Sequence, residues 1–184
     1  MIDREEAYKL LKKYLRDDKL IKHSLAVEAI LRDAAARVNK DEQLWSITGL
    51  LHDLDYDYTR EDPAKHATMA AELLEGLLPE EGINAIKAHN YTHTDQIPMT
   101  SLDKALIAAD AVSGLVIATA LVMPSKKLFE VKLETLIKKF YDTSFATGCN
   151  RKRIELCSDF GFDVESFLKL SLIALQRRAD VLGL

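Results

Sequence analysis

Apolar positions recur along most of the chain at the three- and four-residue spacing of helix faces. Ala7, Leu10, Leu11, Tyr14 and Leu15 form one stripe, and Asp3 with Glu6 three positions later predicts a capping box at its start. Val27, Ile30, Leu31, Ala34 and Val38 predict a second helix ending near Asn39, and a third spans about residues 41–54. Asp62-Pro63 predicts the start of a fourth, because a proline at the first helical position gives up an N–H that has no partner there anyway. Pro79 opens a fifth helix reaching about Asn90, and Ser101 opens a sixth that Pro124 ends. Beyond it, helices are expected at about 128–141, 150–160 and 164–182, with breaks at Gly148 and Gly161. No alternating β-branched run is long enough to predict a strand. The expected fold class is all-α, as one domain over residues 1–184.

Composition agrees with the pattern. Apolar residues make up 48% of 184, enough for a sizeable core, while seven glycines and four prolines are too few for a many-stranded sandwich or barrel. The net charge of −4 argues against a protein that binds nucleic-acid duplexes through many phosphates, but leaves room for a small phosphorylated substrate. Cys149 and Cys157 lack the Cys-x-x-Cys spacing, which points to a reduced, cytoplasmic setting. The opening residues hold no apolar stretch of signal length. The longest apolar run, Ala105 to Met123, contains Asp110 and Gly114 and reads as a buried helix rather than a membrane segment.

Several polar residues fall on apolar faces. His23 lies four positions before Val27, and His52-Asp53 closes the segment ITGLLHDLDY. His66 aligns with Ala70, Leu73, Leu74 and Leu77, and His89 follows Ile86 by three. Asp110 sits among Leu106, Ile107, Gly114 and Ile117. One core histidine usually needs only a hydrogen bond. Three or four helices that each bring an imidazole or carboxylate inward are satisfied most economically by a metal ion. Neighbours on a helix diverge by about 100°, so His52 and Asp53 reach one ion only if the helix is loosened at its end.

The ordered set His23, His52-Asp53, Asp110 resembles the H…HD…D signature of the HD-domain superfamily of metal-dependent phosphohydrolases, with KHSLAVEAI, GLLHDLDY and LIAADAVSGL as local contexts. The resemblance covers about residues 20–121, and KHATMAAELLE and AIKAHN are similar to segments that carry further histidines in extended members; the whole chain looks closest to small stand-alone HDIG-type proteins. It implies that His23, His52, Asp53 and Asp110 hold a first divalent ion (Mn, Fe, Ni, Co, Zn or Mg). It also implies that Asp53 bridges to a second ion held by His66 and His89, or that these histidines contact the substrate phosphate. Asp53, His66 and His89 are then the catalytic candidates. The sequence departs from the family pattern at Leu54-Asp55 in place of Ile-Gly, at Tyr56 in place of a lysine, and at Asn90 in place of a second histidine, which leaves the second ion open.

The implied activity is hydrolysis of a small phosphate ester, a nucleotide or related metabolite. The same ligand set also suits a di-iron oxygenase, and a non-catalytic nucleotide sensor is a further alternative. Asp53-x-Asp55-x-Asp57 is not a calcium loop, since Tyr58 and Ala64 occupy the positions that need Gly and Glu. Asp55 is a candidate for orienting a neighbouring ligand, and His93 is expected in a loop. Residues 126–153 carry eight basic and three acidic side chains, which makes Lys126, Lys127 and Arg151 candidates for reaching the phosphate.

Overall fold

The computed structural model describes residues 1–184 and contains helices and connecting turns without strands. The first helix, α1 (Arg4–Tyr14), begins at Asp3, whose carboxylate accepts from the Glu6 N–H while the Glu6 carboxylate accepts from the Asp3 N–H. Helix α2 (Asp18–Arg37) starts at the Asp17 cap, and Asn39 in the left-handed region (φ 55°) turns the chain after it. Helix α3 (Glu42–Leu51) starts at Asp41 and stops three residues short of the predicted end. His52 still has helical angles, but the next hydrogen bonds, Leu54 N–H to Leu51 and Tyr56 N–H to Asp53, span only three residues. The regular α-helical ladder thus ends at His52, and Asp53 lies in the turn beyond it.

The predicted fourth helix is displaced. Residues 62–67 form turns, and the chain becomes helical again only at α5 (Thr68–Leu73), after the short α4 (Tyr56–Thr59). The cause is Ala67, held at φ 72°, which no helix can contain. Helices α6 (Glu80–His89) and α8 (Ser101–Leu121) match their predicted ends closely, with the single-turn α7 (Tyr91–Thr94) between them. A capping box of Thr100 and Asp103 starts α8. The predicted helix at 128–141 divides into a 3-10 turn at Leu128–Glu130 and α9 (Leu133–Tyr141). The one at 150–160 divides into α10 (Arg151–Glu155) and a 3-10 turn, and the last into α11 (Val164–Gln176) and α12 (Ala179–Leu182).

One apolar cluster runs from Ala7 in α1 to Leu182 in α12. Helix α8 is apolar and long enough to span a bilayer, but 61% of its most apolar stretch is buried in this cluster. Helices α2, α6, α9, α10 and α11 pack around it. Helices α2 and α3 cross at Gly49, where an added Cβ would lie 3.1 Å from backbone atoms of Val27 and Glu28. That approach carries the end of α3, and His52 with it, against the wall formed by α2 and α8.

Candidate metal centre

Six predicted residues meet at one place. His23 comes from α2, His52 and Asp53 from the end of α3, His66 from the turn before α5, His89 from the last position of α6, and Asp110 from the middle of α8. The Asp53 carboxylate is central. One oxygen lies 3.4 Å from the Nε2 atoms of His52, His66 and His89, and the other lies 3.7 Å from Nε2 of His23. Asp110 approaches the same His23 nitrogen at 3.2 Å. The potential ligand atoms fall into two sets, His23 with His52 and Asp53, and Asp53 with His66 and His89, each within 4.8 Å of one another. His52 and Asp53 meet because Asp53 lies in the turn beyond α3 rather than inside the helix, with its carboxylate 3.4 Å from Nε2 of His52.

All four imidazoles have Nδ1 against an oxygen. His52 faces the Gly49 carbonyl at 2.9 Å, His89 the Ile86 carbonyl, His66 the Asp55 carboxylate at 2.9 Å, and His23 the Ser113 hydroxyl at 3.2 Å. Carbonyls and carboxylates only accept, so Nδ1 carries the proton. The Ser113 hydroxyl spends its own proton on the Asp110 carbonyl at 2.8 Å, so it too accepts from His23. Each Nε2 therefore presents a lone pair to the centre. His66 and His89 bring theirs within 3.1 Å of each other. Nε2 of His52 is fully buried and has no hydrogen-bond partner. Lone pairs facing lone pairs and carboxylates repel unless a cation lies among them, so these residues fit a metal ion.

Without a bound cation, burial and the neighbouring carboxylates pull these imidazoles in opposite directions. Burial lowers the His23 pKa, but the hydrogen bond and charge of Asp110 more than reverse this and leave it raised. Burial also lowers His66, again outweighed, by the hydrogen bond to Asp55 and the charge of Asp53. His52 has no such hydrogen bond, and burial pulls it down to about 4. Burial would raise both carboxylates; the surrounding imidazoles instead hold Asp53 well below the usual range and Asp110 at about 2.

Asp55 acts as the orienting group. It is wholly buried, one oxygen accepts from His66, and the other accepts from the N–H groups of Ala67 at 2.8 Å and Ala70 at 3.0 Å. It thus caps α5 from a distance and fixes the His66 ring. Asn90 is not a ligand. Its amide donates to the carbonyls of Pro63 and His66, and its oxygen faces Nδ1 of His93 at 2.9 Å. His93 is exposed on α7, not in a loop.

The basic candidates are corrected. Arg151 is an internal clamp: its guanidinium donates to the carbonyls of Lys139, Phe140, Asp142, Phe145, Ala146 and Cys149, which uses its donors on the 142–150 loop. Lys127 donates to the Gly183 carbonyl, and neither Lys126 nor Lys127 lines the cavity at the metal centre. The cation that reaches the centre is Arg153, which sequence reasoning passed over. It lies 3.5 Å from Asp110, donates to the His89 carbonyl, and stacks over Tyr91. Its signal was present in Asn-Arg-Lys-Arg, but which cation of that run turns inward depends on how α10 packs against α8.

An all-α scaffold that gathers four imidazoles and two carboxylates defines a helical metal-binding protein. The chain belongs to the HD-domain family, whose members are mostly metal-dependent hydrolases; the match covers residues 20–115. The chain is similar to ribonuclease Y of Desulfotalea psychrophila, at 35% identity over 96 residues, and of Acholeplasma laidlawii, at 32% over 96 residues. Each match covers 52% of this chain, which spans only 18% of the relatives' length. No solved structure matches significantly. Arg153 lies outside the family segment.

Proposed function

We propose that the chain hydrolyses small phosphate esters, nucleotides or related metabolites, with its metal held by His23, His52, Asp53 and Asp110 and a second ion by Asp53, His66 and His89. The observation that carries this reading is the convergence of four Nε2 lone pairs on Asp53 in an open cavity of about 360 Å³ that also contains Arg153. Imidazole nitrogens mixed with carboxylates suit Mn, Fe, Co, Ni or Zn better than calcium. A bound divalent ion lowers the pKa of water and polarises phosphoryl oxygens.

The chain's own residues do the rest. Asp53 and Asp110 supply the negative charge that retains the cation. Asp55, Ser113 and the carbonyls of Gly49 and Ile86 fix the imidazoles. Arg153 faces the anionic phosphate and orients it. In the net reaction the water oxygen bonds to phosphorus, the ester P–O bond breaks, and the departing oxygen takes up a proton. The products are phosphate and an alcohol.

The relatives' name makes RNA a further substrate to assay. The single arginine at the cavity and the acidic net charge favour a small ester over a polymer. The test is a screen of phosphate esters, nucleotides and RNA with metal-loaded protein and Asp53→Ala. Hydrolysis of small esters, lost together with bound metal in the variant, is expected. Equal turnover in the variant, or oxygen consumption without phosphate release, overturns the reading.

A further inference from the structure

The cavity at the metal centre has a neighbour. A second cavity of about 330 Å³ shares His23, Asp110 and Arg153 with it and continues between α8 and the 142–150 loop, past Ala111, Gly114, Gly148 and Asn150. Each is within the range of small-molecule sites, which begins at about 300 Å³. Together they make a trough with Arg153 at its waist. The two ends differ in chemistry. The first is crowded with imidazole and carboxylate. The second has no charged side chain beyond the shared His23, Asp110 and Arg153, and small residues form the rest of its walls.

Two features keep the second lobe open. A Cβ added at Gly114 or at Gly148 would meet no heavy atom within 4 Å, so both glycines face open space. The loop wall is held in place by Arg151, which gathers six carbonyls from residues 139–149. Asn150 spends its side-chain oxygen on the Lys152 N–H at 3.0 Å, and its amide N–H groups make no hydrogen bond within the protein. The lobe thus offers uncharged polar donors and small apolar surfaces, which match a neutral, hydrogen-bonding group.

We propose that this lobe is the leaving-group subsite, and that Arg153, Gly114, Gly148 and Asn150 select a phosphomonoester whose alcohol is a neutral group of nucleoside size. The phosphate lies at the metal centre against Arg153, and the esterified group extends over Asp110 into the lobe. This inference rests on the phosphohydrolase reading for the direction of the substrate. Of the four residues that would select the alcohol, Gly148, Asn150 and Arg153 lie beyond the family segment at 20–115, and Gly114 lies at its end. The family part of the fold thus supplies the metal centre, and the C-terminal part supplies the selection.

The test is an equilibrium titration of the manganese-loaded full chain with adenosine 5′-monophosphate, methyl phosphate and inorganic phosphate, in wild type, Gly114→Leu and Gly148→Val. The nucleotide is expected to bind at least tenfold more tightly than the two small anions, and its advantage to fall at least tenfold in either variant that retains the wild-type circular dichroism spectrum. Nucleotide binding no tighter than methyl phosphate in wild type overturns the proposal, as does no binding of any probe. An undiminished advantage in a folded variant overturns it too. If both variants unfold, the wild-type comparison still decides. Hydrolysis assayed in parallel separates the two readings. Selective, variant-sensitive binding without turnover keeps the subsite and removes the phosphohydrolase, whereas turnover without selectivity does the reverse.

Discussion

The imidazole of His66 donates its Nδ1 proton to the buried carboxylate of Asp55 at 2.9 Å, and this contact decides which nitrogen faces Asp53. The second carboxylate oxygen accepts from Ala67 and Ala70, so all three donors at this position meet an acceptor. Asn in place of Asp55 turns an NH2 group toward one of those donors. Asp55→Asn is therefore expected to weaken metal binding at the His66 and His89 side by about 10- to 100-fold, as loss of a ligand-orienting partner does. It also leaves a buried donor unpaired, a cost of about 1–3 kcal/mol. Metal per chain by elemental analysis, together with the melting temperature, checks both. Full metal content in the variant would remove the orienting role.

The inward histidines were legible because helical spacing assigns faces: His23 shares a stripe with Val27, and His89 shares one with Ile86. Asp110 followed for the same reason, whereas Asp53 was marked by its place in the His-Asp doublet. The roles of Arg151 and Arg153 were not legible. Their helix is five residues long, and its rotation is fixed by packing on α8 rather than by any stripe of its own. The break at Ala67 was hidden too, because alanine gives no local signal for positive φ. The chain is held there by Asp55, twelve positions earlier.

Titration predicts a stability maximum for the metal-free protein. His52 has a folded pKa of about 4, below the unfolded value near 6.5. Between these limits the unfolded chain binds a proton that the folded chain refuses, so stability rises with pH, by roughly 3 kcal/mol over the window. His23 and His66 have raised folded pKa values. Their contribution is complete below the unfolded value and is lost as pH climbs through the folded one. The optimum should therefore fall at about pH 6.5. Thermal denaturation in a chelator from pH 4 to 9 measures it. Added metal competes with protons on His23 and His66, so its stabilising effect is expected to grow above that pH. A metal-free curve that keeps rising to pH 9 contradicts the assignment.

Two glycines predict opposite signs. At Gly49 a Cβ would meet the Leu31 side chain at 2.9 Å and backbone atoms of α2 at 3.1 Å, and the same residue's carbonyl holds Nδ1 of His52. Gly49→Ala is expected to push α3 from α2, cost about 1–3 kcal/mol, and reduce bound metal. Gly114 lies inside α8 facing open space. Gly114→Ala is expected to add about 0.5–1 kcal/mol, because alanine loses less backbone entropy in a helix. Urea denaturation of both variants tests the contrast. Loss of stability in each would show that space at these positions is not the deciding quantity.

Arg151 gives a prediction about the loop rather than the chemistry. Its planar guanidinium reaches carbonyls on both sides of the 142–150 turn, with contacts that include 2.6 Å to Phe145, 2.7 Å to Cys149 and 2.8 Å to Ala146. A lysine ammonium has three donors on one nitrogen and cannot span that fan. Arg151→Lys is expected to cost about 2 kcal/mol, which lowers the melting temperature of a chain of this size by about 4–8 °C. Metal content should hold, because no metal-centre residue bonds to Arg151. If the loop is loosened as the hydrogen bonds imply, amide exchange accelerates across residues 142–150 and stays at the wild-type rate in α3 and α6. Unchanged exchange in that loop would mean that the carbonyl fan is not what holds it.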